Sequence, residues 1–295
     1  PLNTDKWPTI DRNDPYSLND DEFDLVNEYI NLFRDSQSLH RHMDFIYRVG
    51  STYLCCNGNL LYHGCIPMTE DGEFARVRHG GVWYSGKSLM DYSDMVVKNA
   101  WAKHDESALD MMWYLWCGND SPFSGRVFHT FERGVVDDES TWAEPKNPYF
   151  SFWEDEKVVG MILSEFGLDP ENGHIINGHT PVKAKKGESP VKAGGKLFII
   201  DGGFCEAYQK TTGIAGYTLV FNSHGLKIKA HKPFEGVAAA IDDNADIESE
   251  AVQVERFERR RYIDDCDSGV QLRRRIQALE SLLAAYRSGE IQEKE

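Results

Sequence analysis

Apolar residues recur every three or four positions in several segments of the chain, and this spacing predicts amphipathic helices. Asn19 and Glu22 have the spacing of a capping box, which marks the start of the first helix. The apolar positions that follow lie on one helical face: Phe23, Val26, Ile30 and Phe33. Further helices are predicted over residues 88–102 and 151–166. A last helix carries an apolar stripe formed by Leu272, Ile276, Leu279, Leu282 and Leu283.

Short apolar runs bounded by turn residues predict strands. Residues 51–56 and 59–62 are two such runs, and the Asn57-Gly58 pair between them is typical of a two-residue hairpin. Later strands are predicted at residues 174–176, 196–200, 216–221, 226–230 and, at an edge, 252–257. Because no helical pattern separates the later strands, an antiparallel or mixed sheet is expected. Residues 69–86 are predicted to be a loop, and residues 117–148, rich in Gly, Ser, Asp and Pro, are predicted to form a long excursion.

Composition and charge narrow the classes of function. The 295 residues carry a net charge of -16, which disfavours a partnership with nucleic acid, since the phosphate backbone would be repelled. No apolar stretch approaches the roughly eighteen residues of a membrane span, and no secretory leader is recognisable. The six cysteines form no Cys-x-x-Cys pair and are expected to be reduced thiols, mostly in apolar surroundings. These features favour a cytoplasmic protein without a membrane partner.

Two histidines stand out because each follows a predicted strand and lies next to a glycine. His63 belongs to residues 62–67 (Tyr-His-Gly-Cys-Ile-Pro), and His179 belongs to residues 176–181 (Ile-Asn-Gly-His-Thr-Pro). Glycine lets the backbone turn tightly and lets a ligand approach closely. Imidazole is a common ligand of manganese, iron, zinc and cobalt. The pair therefore predicts part of a metal site, although a histidine at such a position can also be purely structural.

The histidine motifs resemble the late metal-binding motifs of calcineurin-like metallophosphoesterases. More narrowly, the chain resembles class III (Firmicutes-type) fructose-1,6-bisphosphatases over most of its length, from about residue 16 to residue 287. The segments that carry this resemblance are residues 57–68, 112–118, 175–183, 186–190, 201–204 and 212–219. The resemblance implies a two-metal phosphatase site that uses manganese, in which His63 and His179 bind the same cation.

The resemblance also implies an α+β fold in which the chain forms part of a calcineurin-like metallophosphoesterase sandwich, with sheets flanked by helices and with helical insertions. The expected domain organisation has a helical lead-in at residues 1–50 and a sheet portion at residues 51–68 and 173–260. A mostly helical insertion occupies residues 69–172, and a helix and tail occupy residues 261–295.

Several ligands of the superfamily have no counterpart in the sequence. There is no Asp-x-His and no Gly-Asp pair, and Gly118-Asn119-Asp120 lacks the histidine of a Gly-Asn-His motif. We therefore expect the chain to be the C-terminal portion of a longer polypeptide, to need its missing N-terminal half as a partner and to be inactive alone. Phe204 precedes Cys205 where related phosphatases have an aromatic-Cys pair, but phenylalanine has no hydroxyl and receives no role.

Lysines are crowded after His179, at positions 183, 185, 186, 192 and 196. In a chain with a net charge of -16, this local reversal of charge suggests an anion pocket. Lys183 and Lys192 are the predicted ligands of the phosphate that is not cleaved. Arg133 and Arg126, in the 117–148 segment, are rival candidates. The alternative is a solvated lysine-rich loop without a ligand.

The expected function is hydrolysis of fructose 1,6-bisphosphate at the 1-phosphate, a metal-dependent cleavage of a phosphate monoester in gluconeogenesis. Two alternatives stay open at this point. The chain could be a non-catalytic regulatory or interaction domain, or it could belong to another metallophosphoesterase, such as a protein phosphatase. The sequence also allows a homo-oligomer.

Overall fold

Helices and strands both occur in runs along the chain, and the strands form mixed and antiparallel sheets, so the expected α+β class is confirmed. The computed structural model describes residues 2–3, 7–203, 205–214, 216–246 and 248–292. The helices are α1 (Asp20–Asp35), α2 (Gln37–Val49), α3 (Gly86–Lys103), α4 (Glu106–Cys117), α5 (Thr130–Val135), α6 (Glu156–Glu165), α7 (Glu206–Thr212), α8 (Val237–Asp242) and α9 (Asp267–Ser288). The strands are β1 (Tyr53–Cys56), β2 (Asn59–Tyr62), β3 (Val77–His79), β4 (Val82–Tyr84), β5 (His174–Asn177), β6 (Val191–Lys192), β7 (Leu197–Ile199), β8 (Gly216–Asn222), β9 (Gly225–His231) and β10 (Ser249–Arg256).

The chain divides into two units, and the first comprises Pro1–Tyr53 and Gly64–Phe152. Its core lies around α3 and α4, which are separated by a short turn. His104 ends α3 in the left-handed conformation, with φ of 53°, and the Asp105 side chain caps α4 by accepting from the Ala108 backbone. The buried residues of this cluster are Val77, Leu89, Val96, Ala100, Ala108, Met111 and Leu115.

The loop predicted at residues 69–86 is wrong in its second half, where β3 and β4 form an antiparallel hairpin. The turn consists of Gly80 and Gly81, whose φ values of 56° and 82° are those that a two-residue turn requires. The strands escaped prediction because each has only three residues, too few to show an alternating pattern. The long excursion predicted at residues 117–148 includes the short helix α5.

The second unit comprises Leu54–His63 and Trp153–Glu295 and contains a five-stranded mixed sheet. The strand order is β1-β2-β5-β7-β6. β5 lies between β2 and β7 and is parallel to both, whereas β6 is antiparallel to β7. All residues of β5 and β7 are buried, as expected for strands covered on both faces. The mixed sheet was one of the two arrangements that the sequence allowed.

The remaining strands of the second unit form a three-stranded antiparallel sheet in the order β10-β9-β8. β8 and β9 confirm the strands predicted at residues 216–221 and 226–230, and β10 confirms the predicted edge strand. The predicted helix at residues 151–166 is too long, because α6 begins only at Glu156. Asp155 fixes this start, since its side chain accepts from the backbone amides of Lys157 and Val158.

The cysteines are free, as expected, but they are not mostly core residues. Cys65 is buried, Cys55, Cys117 and Cys266 are half-buried, and Cys56 and Cys205 are exposed. None of the helices within the described residues is long and apolar enough to cross a membrane.

Candidate metal centre

The two motif histidines leave the same edge of the five-stranded sheet. β2 and β5 are parallel, and their last residues, Tyr62 and Asn177, are directly paired. His63 follows Tyr62, and His179 lies two residues after Asn177. Because the carboxyl ends of parallel strands meet at one edge, residues that are distant in sequence become neighbours there.

The imidazole rings of His63 and His179 approach each other closely. Nε2 of His63 lies 3.3 Å from Nδ1 of His179. The ring centroids are 5.2 Å apart, and the ring planes are nearly perpendicular at 88°. Two nitrogens that each lie about 2.1 Å from one cation are separated by roughly 3.0 to 3.4 Å at tetrahedral or octahedral angles. The distance between the two nitrogens therefore fits a pair of ligands on a shared metal ion.

The backbone around His179 is held in an uncommon conformation. The φ angle of His179 is 67°, in the left-handed region that residues other than glycine seldom occupy. Such a conformation costs on the order of 1 kcal/mol or more and is concentrated at functional sites. The preceding Gly178 leaves room for the neighbouring ring, since a Cβ there would lie 3.2 Å from Nδ1 of His63. The glycine beside the histidine thus has the role of close approach that the sequence suggested.

Asn177 is a residue at this edge that sequence reasoning missed. It is 1% exposed, and its Nδ2 donates to the carbonyl oxygens of Tyr62 at 3.2 Å and His63 at 3.1 Å. The backbone amide of Gly178 adds a bond of 3.3 Å to the same His63 carbonyl. These bonds join the end of β2 to the end of β5 and fix the spacing of the two histidines. The available signal was an amide side chain at the end of an apolar strand.

Asp201 lies at the same edge, just after β7. Ile199, the last residue of β7, pairs with Asn177 of β5. The Asp201 carboxylate accepts from the backbone amide of Gly203 at 3.0 Å, and its backbone carbonyl accepts from Val182 at 2.9 Å. Asp201 therefore fixes the segment that follows His179 to the end of the third parallel strand. Phe204, which received no role, lies outside the described residues.

The opposite ends of the same strands carry a similar pair of residue types in a different environment. Asn59 begins β2 and pairs with His174, which begins β5. His174 is 8% exposed, and its Nε2 lies 3.3 Å from a carboxylate oxygen of Glu255. Burial lowers the pKa of His174, Glu255 opposes this change with its negative charge, and Arg261 reinforces it. His174 is thus a buried residue whose partner is a carboxylate.

The predicted phosphate ligands Lys183 and Lys192 differ in their surroundings. Lys183 directly follows Val182, which is fixed to the histidine edge, and the Lys183 side chain is exposed. Lys192 pairs with Leu197 at the beginning of β7, and its side chain is 13% exposed. The Lys192 ammonium lies 2.9 Å from Glu154 and 3.9 Å from Glu188. Lys192 is therefore neutralised by carboxylates, whereas Lys183 forms no ion pair among the described residues.

Arg133 and Arg126, the rival candidates, belong to the first unit. Arg133 donates from Nε to the Trp142 carbonyl at 3.2 Å, and its guanidinium lies 3.3 Å from Glu144. Arg126 lies 3.7 Å from the same Glu144 carboxylate. Both arginines thus already have an acidic partner, and their role in binding phosphate stays a prediction.

The two histidines have no third ligand within the described part of the chain. No group of three or more His, Cys, Asp or Glu side chains there could hold a metal ion. The acidic residues near the start of α9 are bound by other groups. Asp265 accepts from Arg259, Asp264 accepts from Arg273, and Asp267 accepts from the backbone amide of Asn57. A complete metal centre would therefore need ligands in addition to His63 and His179.

Comparisons with known proteins agree with the resemblance that the motifs carry. A sequence model of the family described as Firmicute fructose-1,6-bisphosphatase matches residues 1–288. A class 3 fructose-1,6-bisphosphatase of Clostridium novyi (strain NT) is 49% identical over 300 residues, which cover 100% of this chain and 45% of that protein. One from Clostridium botulinum (strain Langeland) is 50% identical over 294 residues, which cover 98% of this chain and 44% of that protein.

The chain therefore spans less than half the length of these curated relatives. No solved structure matches it. On the extent of the family match and the identity to its relatives, the chain belongs to the Firmicute, or class 3, fructose-1,6-bisphosphatase family.

Proposed function

We propose that the chain forms part of a metal-dependent phosphatase that cleaves the 1-phosphate of fructose 1,6-bisphosphate. The observation that carries this proposal is the distance of 3.3 Å between Nε2 of His63 and Nδ1 of His179. Two imidazole nitrogens at this separation fit one transition-metal ion, and manganese is the candidate that the family resemblance favours. The names of the curated relatives supply the substrate.

A pair of divalent cations, when bound, polarises the phosphoryl oxygens and provides a nucleophile from water near neutral pH. The residues of this chain contribute by placing ligands. His63 and His179 would hold one cation, and Asn177 keeps the two strand ends together. Lys183 is our first candidate for the second phosphate, since its exposed ammonium lacks the acidic partners that Lys192 has. A positive charge there would offset part of the charge of a bisphosphate.

The remaining ligands and the general acid are proposed to lie outside the 295 residues. Two observations support this: no third metal ligand is found within the described residues, and the chain covers 45% of a relative's length. We further propose that the five-stranded sheet is one half of a calcineurin-like sandwich. The parallel strands with histidines after their carboxyl ends support this assignment. As an enzyme of sugar metabolism, the protein would act in the cytoplasm.

The test is an assay of phosphate release from fructose 1,6-bisphosphate with manganese. It compares the 295-residue chain, the same chain mixed with the remaining portion of the polypeptide and the complete protein. We expect turnover by the complete protein and almost none by the chain alone. His224→Ala provides a matched control, because His224 is an exposed histidine of the turn between β8 and β9.

The control variant should retain full activity, whereas His63→Ala and His179→Ala should lose it. Failure of the complete protein to release phosphate from fructose 1,6-bisphosphate would refute the proposed activity. Vigorous manganese-dependent turnover by the 295 residues alone would instead refute the proposal that the site needs ligands from outside them.

A further inference from the structure

The last helix, α9, has almost no packing against the rest of the described chain. It has 22 residues, and Gly269 is the buried one. Every residue from 270 to 284 is exposed. Because most helical stability in proteins comes from the packing of an apolar face, a helix of this length that is exposed on all sides needs a partner.

The start of α9 is nevertheless fixed to the second unit. The backbone amide of Asn57 donates to the Asp267 carboxylate at 2.7 Å, and the Asp267 amide donates to the Asn57 side chain at 3.0 Å. Arg273 donates to the backbone carbonyl of Asp264 at 2.8 Å. Gly269 lies against the chain, since a Cβ there would be 2.2 Å from the Ile263 carbonyl oxygen. The first turn is thus anchored, and the apolar stripe begins after it.

Four residues of the stripe, together with Tyr286, have the spacing of a coiled-coil seam, and Leu282 lies beside this seam at a g position. The seam residues follow one another at alternating intervals of four and three residues: Leu272, Ile276, Leu279, Leu283 and Tyr286. Their exposed fractions are 48%, 54%, 63%, 49% and 43% in the same order. In heptad terms, Ile276 and Leu283 occupy a positions, and Leu272, Leu279 and Tyr286 occupy d positions. Isoleucine at a with leucine at d favours a two-stranded parallel assembly.

We propose that α9 forms a parallel two-helix coiled coil with α9 of a second copy of this chain. The charged residues beside the seam support a second copy of the chain as the partner. Arg275 occupies a g position and Glu280 the following e position, the spacing at which opposite charges meet across a parallel dimer. Both side chains are exposed, and neither forms an ion pair within the described ranges. Because the dimer is two-fold symmetric, the Arg275–Glu280 pair between the two copies forms twice.

The orientation also follows from the length of the stripe. In a parallel, in-register pair, each of the five seam residues faces the same residue of the second copy. In an antiparallel pair, a positions lie opposite d positions. Only four of the five seam residues then face another seam residue, and the fifth faces either Gly269 or residue 290. Gly269 is already buried against its own chain, and residue 290 is a glutamate. The parallel arrangement therefore covers more of the apolar surface.

The experiment is sedimentation equilibrium of the complete protein over a range of concentrations, with three variants. Leu279→Lys places two charges in the seam and should weaken the dimer by about 100-fold or more. Gln277→Lys adds the same charge at a b position, away from the seam, and should leave the dimer unchanged. Near-UV circular dichroism and thermal unfolding of Leu279→Lys check that the units stay folded. Arg275→Glu should weaken the dimer by about tenfold.

Charge reversal and cross-linking then test the partner and the orientation. Adding Glu280→Arg to Arg275→Glu recreates two opposite-charge pairs and should restore the affinity. Leu272→Cys should form a disulfide-linked dimer under mild oxidation, whereas Arg274→Cys at an f position should not.

A complete protein that sediments as a monomer at about 100 μM would overturn the proposal, because the stripe would then contact another partner. A dimer that is insensitive to Leu279→Lys would overturn it too. Failure of the double charge reversal to restore affinity would overturn the parallel pairing.

Discussion

The two ends of the paired strands β2 and β5 carry the same residue types and have different environments. At the amino end, His174 is buried beside Glu255, and Asn59 donates to the carbonyls of Cys56 and Asn57 in its own turn. At the carboxyl end, His63 is exposed and His179 half-exposed, with their nitrogens 3.3 Å apart. Asn177 there connects two different strands.

This difference shows how a structural histidine can be distinguished from a candidate metal ligand. His174 occupies regular extended backbone in β5, and its charge partner is a carboxylate. His179 has a φ of 67° and faces a second imidazole that comes from a different part of the sequence. The facing imidazole, together with the left-handed backbone of His179, favours the carboxyl end as the candidate ligand site.

The largest expected effect is the difference in activity and manganese binding between substitutions of His179 and of His174. In the complete protein, His179→Ala should lower manganese-dependent phosphate release by about a thousandfold, because one cation loses a direct ligand. Manganese binding, followed by electron paramagnetic resonance, should weaken in parallel. The matched variant His174→Gln should bind manganese as the unmodified protein does. Equal losses of manganese affinity in the two variants would remove the distinction between the two ends.

The second prediction compares the buried asparagines at the two strand ends, Asn177 and Asn59. Asn177→Ala removes two hydrogen bonds and should lower the free energy of unfolding by about 1 to 3 kcal/mol. Because the spacing of His63 and His179 depends on these bonds, manganese affinity should also fall by about 10- to 100-fold. Asn59→Ala should have a comparable effect on stability and none on manganese affinity. The readouts are chemical denaturation and manganese titration of both variants.

If both variants reduce stability and neither changes manganese affinity, Asn177 is only a structural residue. The histidine ring signals in NMR spectra offer an independent check, since Asn177→Ala should shift those of His63 and His179. Asn59→Ala should instead affect His174, its neighbour in the β2–β5 register.

The sequence predicted the histidines of the carboxyl end better than the residues that support them. His63 and His179 were recognisable because each follows a strand and has a glycine beside it. Asn177 was not, because a buried amide leaves no periodic pattern. Local sequence patterns also could not predict the parallel pairing of β2 and β5, since 111 residues separate the end of β2 from the start of β5. The individual strands β1, β2 and β5 and the Asn57-Gly58 turn were predicted correctly, because their local sequence patterns agree with the tertiary structure.

The sequence also did not show which acidic residues form ion pairs with the lysines that follow His179. Lysine crowding suggested an anion pocket, but it could not show that Glu154, from a distant segment, lies 2.9 Å from Lys192. The same contact holds the pKa of the Glu154 carboxyl below its usual value, mainly through the hydrogen bond from Lys192. Lysines that look alike in a sequence can thus differ in the charge they offer to a substrate.

The third prediction extends the comparison to these lysines. In the complete protein, Lys183→Ala should raise KM for fructose 1,6-bisphosphate by about tenfold and leave kcat within about twofold, because it would remove the proposed contact to the phosphate that does not react. Lys192→Ala should change KM little, since Glu154 and Glu188 already neutralise Lys192. Steady-state kinetics of both variants provide the measurement. A larger rise of KM in Lys192→Ala than in Lys183→Ala would reverse the assignment.

The smallest effect concerns the protonation of His174 at the amino end. Burial lowers the pKa of His174 in the folded state, so the unfolded chain binds the proton more readily. The free energy of unfolding should therefore fall as the pH decreases below about 6.5, and one proton contributes at most about 1.4 kcal/mol per pH unit. His174→Gln should flatten this dependence, whereas His224→Gln, at an exposed turn, should not. Denaturation series between pH 7.5 and pH 5.5 make the comparison, and a steeper loss in His174→Gln would contradict the assigned direction.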